Sequence, residues 1–389
     1  MRNHPHLLQQ IDALIATPSV SSVQPDLDLG NLAVIELLAN WLNDFGYQVE
    51  VMPVPGQAGK ANLIATLGQG PGGLVLAGHT DTVPFDDRRW SSDPFKLSER
   101  DQRLYGLGTA DMKAFLALAI EAARSFDPKQ FKEPLILLAT ADEETTMSGA
   151  KALVQAGRPR ARQALIGEPT GLRPVRMHKG VLMEAIRLTG QSGHSSDPAL
   201  GHNALEGMHR LITQLLLWRD DLQKQHHNPA FDVPVPTLNL GAIRGGDNPN
   251  RICGCCELHI DLRPLPGMDI DALRANLHGN LSAFMQDSGF RLDFDSLFDG
   301  IPAMETPANA GLVQLCEQLT GVPAEAAAFG TEAPYLSQLG MDTLVLGPGD
   351  IDQAHQPDEY LALERIPPML EILKKLIHHC CIQPQQPPQ

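Results

Sequence analysis

Five short stretches of the chain set histidine and carboxylate side chains where they could hold cations: GHTDTVP (78–84), GLGTADMK (106–113), ATADEETT (139–146), LIGEPT (165–170) and AHQPDE (354–359). Surface acids are common, and a lone His beside a lone Asp at a strand end can simply bond each other. The recurrence changes that reading. Residues two apart on a strand face one side, so His79 and Asp81 point together past the end of GGLVLA. Carboxylates gathered at successive strand ends would repel one another unless a cation sat among them. His79, Asp111, Glu144, Glu168 and His355 offer nitrogen and carboxylate oxygen without sulfur, a donor set that suits zinc, cobalt or manganese. Five ligands exceed one open zinc site and match two metals sharing a carboxylate; a pair about 3.5–4 Å apart can activate water and polarise a carbonyl. Glu143 and Glu144, expected on an extended segment, would point to opposite sides, leaving Glu143 free to move protons while Glu144 binds metal. Asp81 is expected to fix the tautomer of His79 through its carboxylate.

Such a cluster needs elements that end at one edge. Strands and helices alternate through the first 170 residues, which predicts an α/β fold: a mostly parallel mixed sheet flanked by helices, with ligands beyond the strands' carboxyl ends. LGNLAVIELLANWLNDF (29–45) reads as a helix stopping at Gly46, and MKAFLALAIEAARSF (112–126) as another. YQVEVMPV, ANLIATL, GLVLAGHTDTV, PLILLATADEE and QALIGEPT read as strands. From Val181 the order becomes strand, helix, strand, strand, helix, predicting an inserted smaller α+β domain with an antiparallel sheet. The expected division is 1–179 and 296–382 for the first domain, 180–295 for the insertion, with hinges near 178–181 and 293–297. The tail 383–389, QPQQPPQ, is too rich in Pro and Gln to pack and is expected to be disordered. Gly68, Gly70 and Gly73 fit GxGxxG, but Pro71 and the strand that follows deny a dinucleotide site its helix N-terminus, so a turn is expected.

The bulk numbers narrow the partners. In 389 residues, 30 Lys plus Arg face 46 Asp plus Glu, a net charge of −16 that repels phosphate backbones and anionic lipid. Neither nucleic acid nor membrane is expected as a partner. No apolar run reaches the roughly 20 residues of a membrane span, and MRNHPHLLQQ lacks a signal peptide's apolar stretch, so a cytoplasmic location is expected. The six cysteines match none of the common zinc spacings and read as packing thiols.

Taken in order, GHTDTVP, GLGTADMK, ADEE, GEPT and AHQPDE resemble the di-zinc aminoacylase and carboxypeptidase family that also contains succinyl-diaminopimelate desuccinylase, over almost the whole chain. The resemblance implies two divalent metal ions, zinc first and cobalt as an alternative. It implies that Asp111 bridges them, that His79 and Glu168 hold one, that Glu144 and His355 hold the other, and that Glu143 is the general base and acid. It also implies a homodimer formed through the inserted domain, with His194 in GQSGHSSDP serving the active site of the other subunit. IGEPTGLRPVRMHKG, NRICGCCELHIDLRPLPGM, GTEAPYL and LVLGPGDIDQAHQPDEYL resemble the branch that hydrolyses N2-acetyl-L-ornithine, a step of arginine biosynthesis, more than the desuccinylase branch. The same hydrolysis on N-acetylcitrulline or N-succinyl-diaminopimelate stays open, as does metal-dependent binding without hydrolysis, against which an intact Glu143 argues.

For this small N-acyl amino acid substrate, Arg251, with Asn250, is expected to grip the α-carboxylate. Thr331 and Glu332 form a second expected substrate loop in which Glu332 meets a side-chain amine. Two plain alternatives remain: Arg251 as a surface residue, and Glu332 placed by a helix N-terminus. Lys179, His226 and His227 read as solvated or core residues.

Overall fold

Leu74–His79 and Leu135–Thr140 are buried along their whole lengths, as strands covered on both faces must be. The computed structural model describes residues 5–383, so 384–389 of the expected tail lie outside the described residues. Two compact units emerge, one of Met1–Arg176, Thr306–Glu325 and Thr331–Gln389, the other of Met177–Glu305 and Ala326–Gly330.

At the centre of the first unit, Leu135–Thr140, Leu74–His79, Gln163–Ile166 and Asp342–Val345 lie side by side, all parallel. Parallel strands put their carboxyl ends on one edge, and the segments that leave that edge carry His79, Glu143, Glu144, Glu168 and His355. Ala61–Leu67 and Gln48–Pro53 extend the sheet in the antiparallel sense, so it is mixed. The helix Lys113–Ala123 is buried almost throughout and packs against Pro5–Ile15, Ile366–Ile377 and the strand Leu74–His79. A Cβ on Gly78 would lie 2.8 Å from Met112 Cε, so Gly78 faces this helix and His79, next along the strand, faces away. A small antiparallel sheet of Ser98–Arg100, Arg103–Tyr105 and Tyr360–Ala362 sets residues 106–111 beside the segment ending at Glu359.

Gly68, Gly70 and Gly73 form the turn after Ala61–Leu67, all at positive φ. A Cβ on Gly73 would fall 2.1 Å from the Pro134 carbonyl oxygen, which accounts for the glycine without any phosphate.

The second unit is a four-stranded antiparallel sheet in the order Thr237–Gly245, Cys255–Arg263, Val181–Thr189, Arg291–Ile301. The helices Ala204–Gln225 and Ile270–Met285 cover it with Leu211, Leu215, Leu277 and Leu281, against Cys256, Leu258, Ile260 and Leu262. Strand Arg291–Ile301 is absent from the order read in the sequence, and the expected break at 295/296 falls inside it. It is an edge strand whose side chains are mostly exposed or half-buried, so it carries little apolar signal. Lys179 bonds the Val235 carbonyl at 2.8 Å, while His226 closes the helix Ala204–Gln225. All six cysteines are free thiols, and every one but Cys255 is buried. Among the described residues no helix is long and apolar enough to cross a membrane.

Candidate metal centre

Two imidazoles converge on one carboxylate in the first unit. His79 Nε2 lies 3.0 Å from Asp111 Oδ1, and His355 Nε2 lies 3.4 Å from Asp111 Oδ2. His355 Nε2 also meets Glu144 at 3.0–3.1 Å, and Glu168 Oε1 stands 3.8 Å from His79 Nε2. His79 is 1% exposed and Asp111 and Glu168 are buried, whereas His355 sits on a loop with its side chain 53% exposed. Ligand atoms come within 4.8 Å of one another in two groups, His79 with Glu143 and Glu168, and His79 with Asp111 and Glu144. No cysteine enters either group among the described residues.

The donor geometry fits a cation. His79 Nδ1 lies 2.9 Å from the Asp81 carbonyl oxygen, which can only accept, so Nδ1 carries a proton. The neutral ring then turns the lone pair of Nε2 toward two carboxylates, an arrangement that needs a proton or a metal between them. Glu168 Oε1 is buried without a hydrogen-bond partner among the described residues. Burial alone would raise the Asp111 carboxyl, but bonds from His355 and His79 hold it well below the usual range. Burial, Asp111 and Glu144 push the Glu168 carboxyl up to about 8 against the pull of His79. Burial and then Glu168 drive the Glu143 carboxyl well above its ordinary value. Bonds to Asp111 and Glu144 push the His355 imidazole up to about 10. Four crowded carboxylates holding protons on two imidazoles are the pattern expected of a site built for positive charge.

Asp81 does not act on His79 as expected. Its Oδ1 is 3.8 Å from His79 Nδ1, beyond hydrogen-bonding range, and its main-chain carbonyl sets the tautomer instead. The carboxylate accepts the N–H groups of Glu143 at 3.2 Å and Glu144 at 3.0 Å. Those two residues lie in a turn rather than an extended segment, because the strand stops at Thr140 and Asp142 has φ +67°. Asp142 is held there by Lys60, Ser21, Thr145, Thr146 and Ser148, all donating to its carboxylate. The Glu143 carboxylate accepts no hydrogen bond among the described residues, whereas Glu144 is engaged by His355. Glycine is required before Glu168, since a Cβ on Gly167 would sit 2.0 Å from the Phe115 ring.

The other expected residues separate by unit. Thr331 and Glu332 belong to the first unit and are buried. Thr331 Oγ1 accepts the Ala333 N–H at 3.1 Å, and Glu332 makes no side-chain cap to the short helix Ala333–Gln338. Glu332 thus stands at the N-cap position of that helix without bonding its amides. It is 2% exposed, neither oxygen has a hydrogen-bond partner among the described residues, and burial pushes its carboxyl up to about 7. The Thr140 hydroxyl opposes that shift without reaching hydrogen-bonding geometry.

His194, Asn250 and Arg251 belong to the second unit, where His194 and Arg251 form a bridge and Ser195 N–H donates to the Asn250 carbonyl at 3.1 Å. Ser196 N–H donates to His194 Nδ1 at 3.2 Å, which leaves the neutral ring's proton on Nε2. Arg251 is exposed and pairs with Asp247 at 2.6 Å. Sequence reasoning gave no role to Asp142, Lys60 or Glu359; the last is buried and bonds the loop that carries Asp111. Asp142 and Glu359 lie inside the singled-out stretches ATADEETT and AHQPDE, but spacing alone does not show that they bond loops remote in sequence.

Residues 75–379 match Peptidase family M20/M25/M40. The acetylornithine deacetylase of Edwardsiella ictaluri (strain 93-146) is 54% identical over 377 residues, 97% of this chain and 98% of that protein. The acetylornithine deacetylase of Pectobacterium carotovorum subsp. carotovorum (strain PC1) is 52% identical over 379 residues, 97% of this chain and 99% of that one. A tripeptidase from Staphylococcus aureus subsp. aureus Mu50 shares the fold at 18% identity and a TM-score of 0.75, over 97% of this chain and 99% of that one. So does an M20 family metallo-carboxypeptidase from Sulfolobus solfataricus, at 16% identity and a TM-score of 0.75, over 96% of this chain and 98% of that one. Matched through the strands and loops that build the centre, and alike in sequence to these deacetylases along nearly its whole length, the chain belongs to peptidase family M20/M25/M40.

Proposed function

We infer that the chain is a metal-dependent amidohydrolase that cleaves N2-acetyl-L-ornithine to L-ornithine and acetate. The observation that carries the chemistry is Glu143, whose carboxylate accepts no hydrogen bond among the described residues, beside a buried cluster of histidines and acids. The substrate rests on the identity with acetylornithine deacetylases over nearly the whole chain.

His79, Asp111, Glu144, Glu168 and His355 would hold two divalent ions, with Asp111, which already faces both imidazoles, shared between them. Bound there, the ions supply Lewis acidity at the acyl carbonyl and acidify water. Glu143 takes a proton from the attacking water and passes it to the amine nitrogen as the amide bond breaks. Asp81 holds the Glu143–Glu144 turn in place.

Zinc is the preferred metal and cobalt the alternative, on the strength of an N and O donor set. We place the reaction in arginine biosynthesis, in the cytoplasm, and the enzyme as a homodimer. In that dimer His194 donates from Nε2 to the developing oxyanion of the other subunit's substrate, a role its Nδ1 contact leaves open. Arg251, with Asn250, takes the α-carboxylate, exchanging its exposed pair with Asp247. Glu332, assisted by Thr331, answers the side-chain ammonium; its support is a buried carboxylate with no hydrogen-bond partner among the described residues. Glu143→Gln tests the core of the reading: turnover is expected to collapse while metal content stays at the wild-type level. Near-normal turnover would remove Glu143 from its role.

A further inference from the structure

Four residues beyond His355, in the same AHQPDE segment, Glu359 is 1% exposed. Its Oε1 accepts the N–H groups of Gly108 at 3.1 Å, Ala110 at 2.7 Å and Asp111 at 3.0 Å, and its Oε2 lies 3.2 Å from the Gly108 nitrogen. The Glu359 carbonyl takes up the Gly106 N–H at 3.1 Å and the Thr109 hydroxyl at 3.4 Å. Residues 106–111 belong to no helix or strand, and a buried loop must still satisfy its amides. One side chain supplies the acceptor for three of them. Three N–H groups on one carboxylate leave the loop little freedom, and the last belongs to Asp111, whose oxygens face His79 and His355.

We propose that Glu359 is a positioning residue for the metal centre: by gathering the amides of Gly108, Ala110 and Asp111 it aims the Asp111 carboxylate between His79 and His355. The proposal rests on Asp111 as the shared ligand of the proposed function. It gives the His355 segment a second task, since the stretch that delivers one imidazole also sets the carboxylate that imidazole faces. Positioning partners outside the ligand set typically tune metal affinity about 10–100-fold.

The test uses the full chain, stripped of metal, as wild type, Glu359→Ala and Glu359→Gln. Each is titrated with zinc alone by calorimetry, followed by hydrogen exchange across 104–112, and assayed for kcat and KM on N2-acetyl-L-ornithine. The Ala variant is expected to bind zinc about 10–100-fold more weakly, to exchange faster at 106–111 but not at 163–166, and to lose kcat with KM nearly kept. Gln, which retains an oxygen acceptor, is expected to recover most of the zinc affinity. Wild-type zinc affinity in a folded Ala variant would overturn the proposal, and so would a Gln variant no better than Ala. Should the Ala variant fail to fold, Glu359→Asp decides: with the acceptor drawn back by one methylene, zinc binding about tenfold weaker supports the proposal, and unchanged binding overturns it. A wild type that binds zinc yet leaves the substrate intact refutes the assigned reaction while the zinc titrations still judge Glu359.

Discussion

Replacing Asp81 by Asn separates two tasks that a carboxylate beside a metal-binding histidine could have. Its oxygens accept the N–H groups of Glu143 and Glu144 at 3.2 and 3.0 Å, while His79 Nδ1 bonds the Asp81 main-chain carbonyl at 2.9 Å. Asn keeps one acceptor and turns its NH2 toward the other amide, so one charge-assisted bond of about 1.5–3 kcal/mol is lost. If that energy is fully expressed in the placement of Glu143, kcat falls roughly 10- to 150-fold, at about 1.4 kcal/mol per factor of ten. The carbonyl that sets the His79 tautomer is untouched by the substitution, so zinc affinity should change only through the Glu144 end of the turn. The assay is acetate release at saturating zinc, with zinc titration of the stripped protein beside it. A wild-type kcat at saturating zinc would refute the reasoning, because it would show that these bonds do not place Glu143.

Glu332 bears on stability through pH. Its carboxyl is pushed up to about 7 in the folded chain against an ordinary 4.5. The folded state therefore keeps a proton that the unfolded chain gives up, and the associated stability, present in full below pH 4.5, is lost as pH rises through 7. The full shift corresponds to on the order of 3 kcal/mol. In metal-free protein the urea midpoint of the wild type should fall between pH 5 and 8 by more than that of Glu332→Gln; equal falls would show that this carboxyl does not titrate there. Cys255 is the one exposed thiol among six. A thiol reagent should label one cysteine quickly in the native chain and none quickly in Cys255→Ser, and a fast phase surviving in that variant would contradict the burial of the other five.

The strands at the centre were legible because burial on both faces leaves unbroken apolar runs such as LVLA and LILLA, and the helix Lys113–Ala123 because nearly every side chain in it is apolar. Strand Arg291–Ile301 was not, since an exposed edge strand carries charges wherever it faces water. His79, Asp111, Glu144, Glu168 and His355 could be named together because each follows or precedes an element whose end the sequence marks. How they are held could not be named. Asp142 takes its left-handed backbone among donors that include Ser21 and Lys60, far away in the chain, and this turned an expected extended segment into a turn. Asp81 and Glu359 work through the amides of loops remote in sequence, a relation that spacing along the chain does not record.

The most direct measurement is acetate release from N2-acetyl-L-ornithine by chelator-stripped protein before and after zinc or cobalt is added, with N-acetyl-L-citrulline and N-succinyl-diaminopimelate run alongside. The account predicts little turnover in the stripped protein and strong, metal-restored release from acetylornithine above both other substrates. Restoration on one of the others alone would contradict the assigned substrate, and no restoration on any of them would contradict the metal-dependent hydrolase itself.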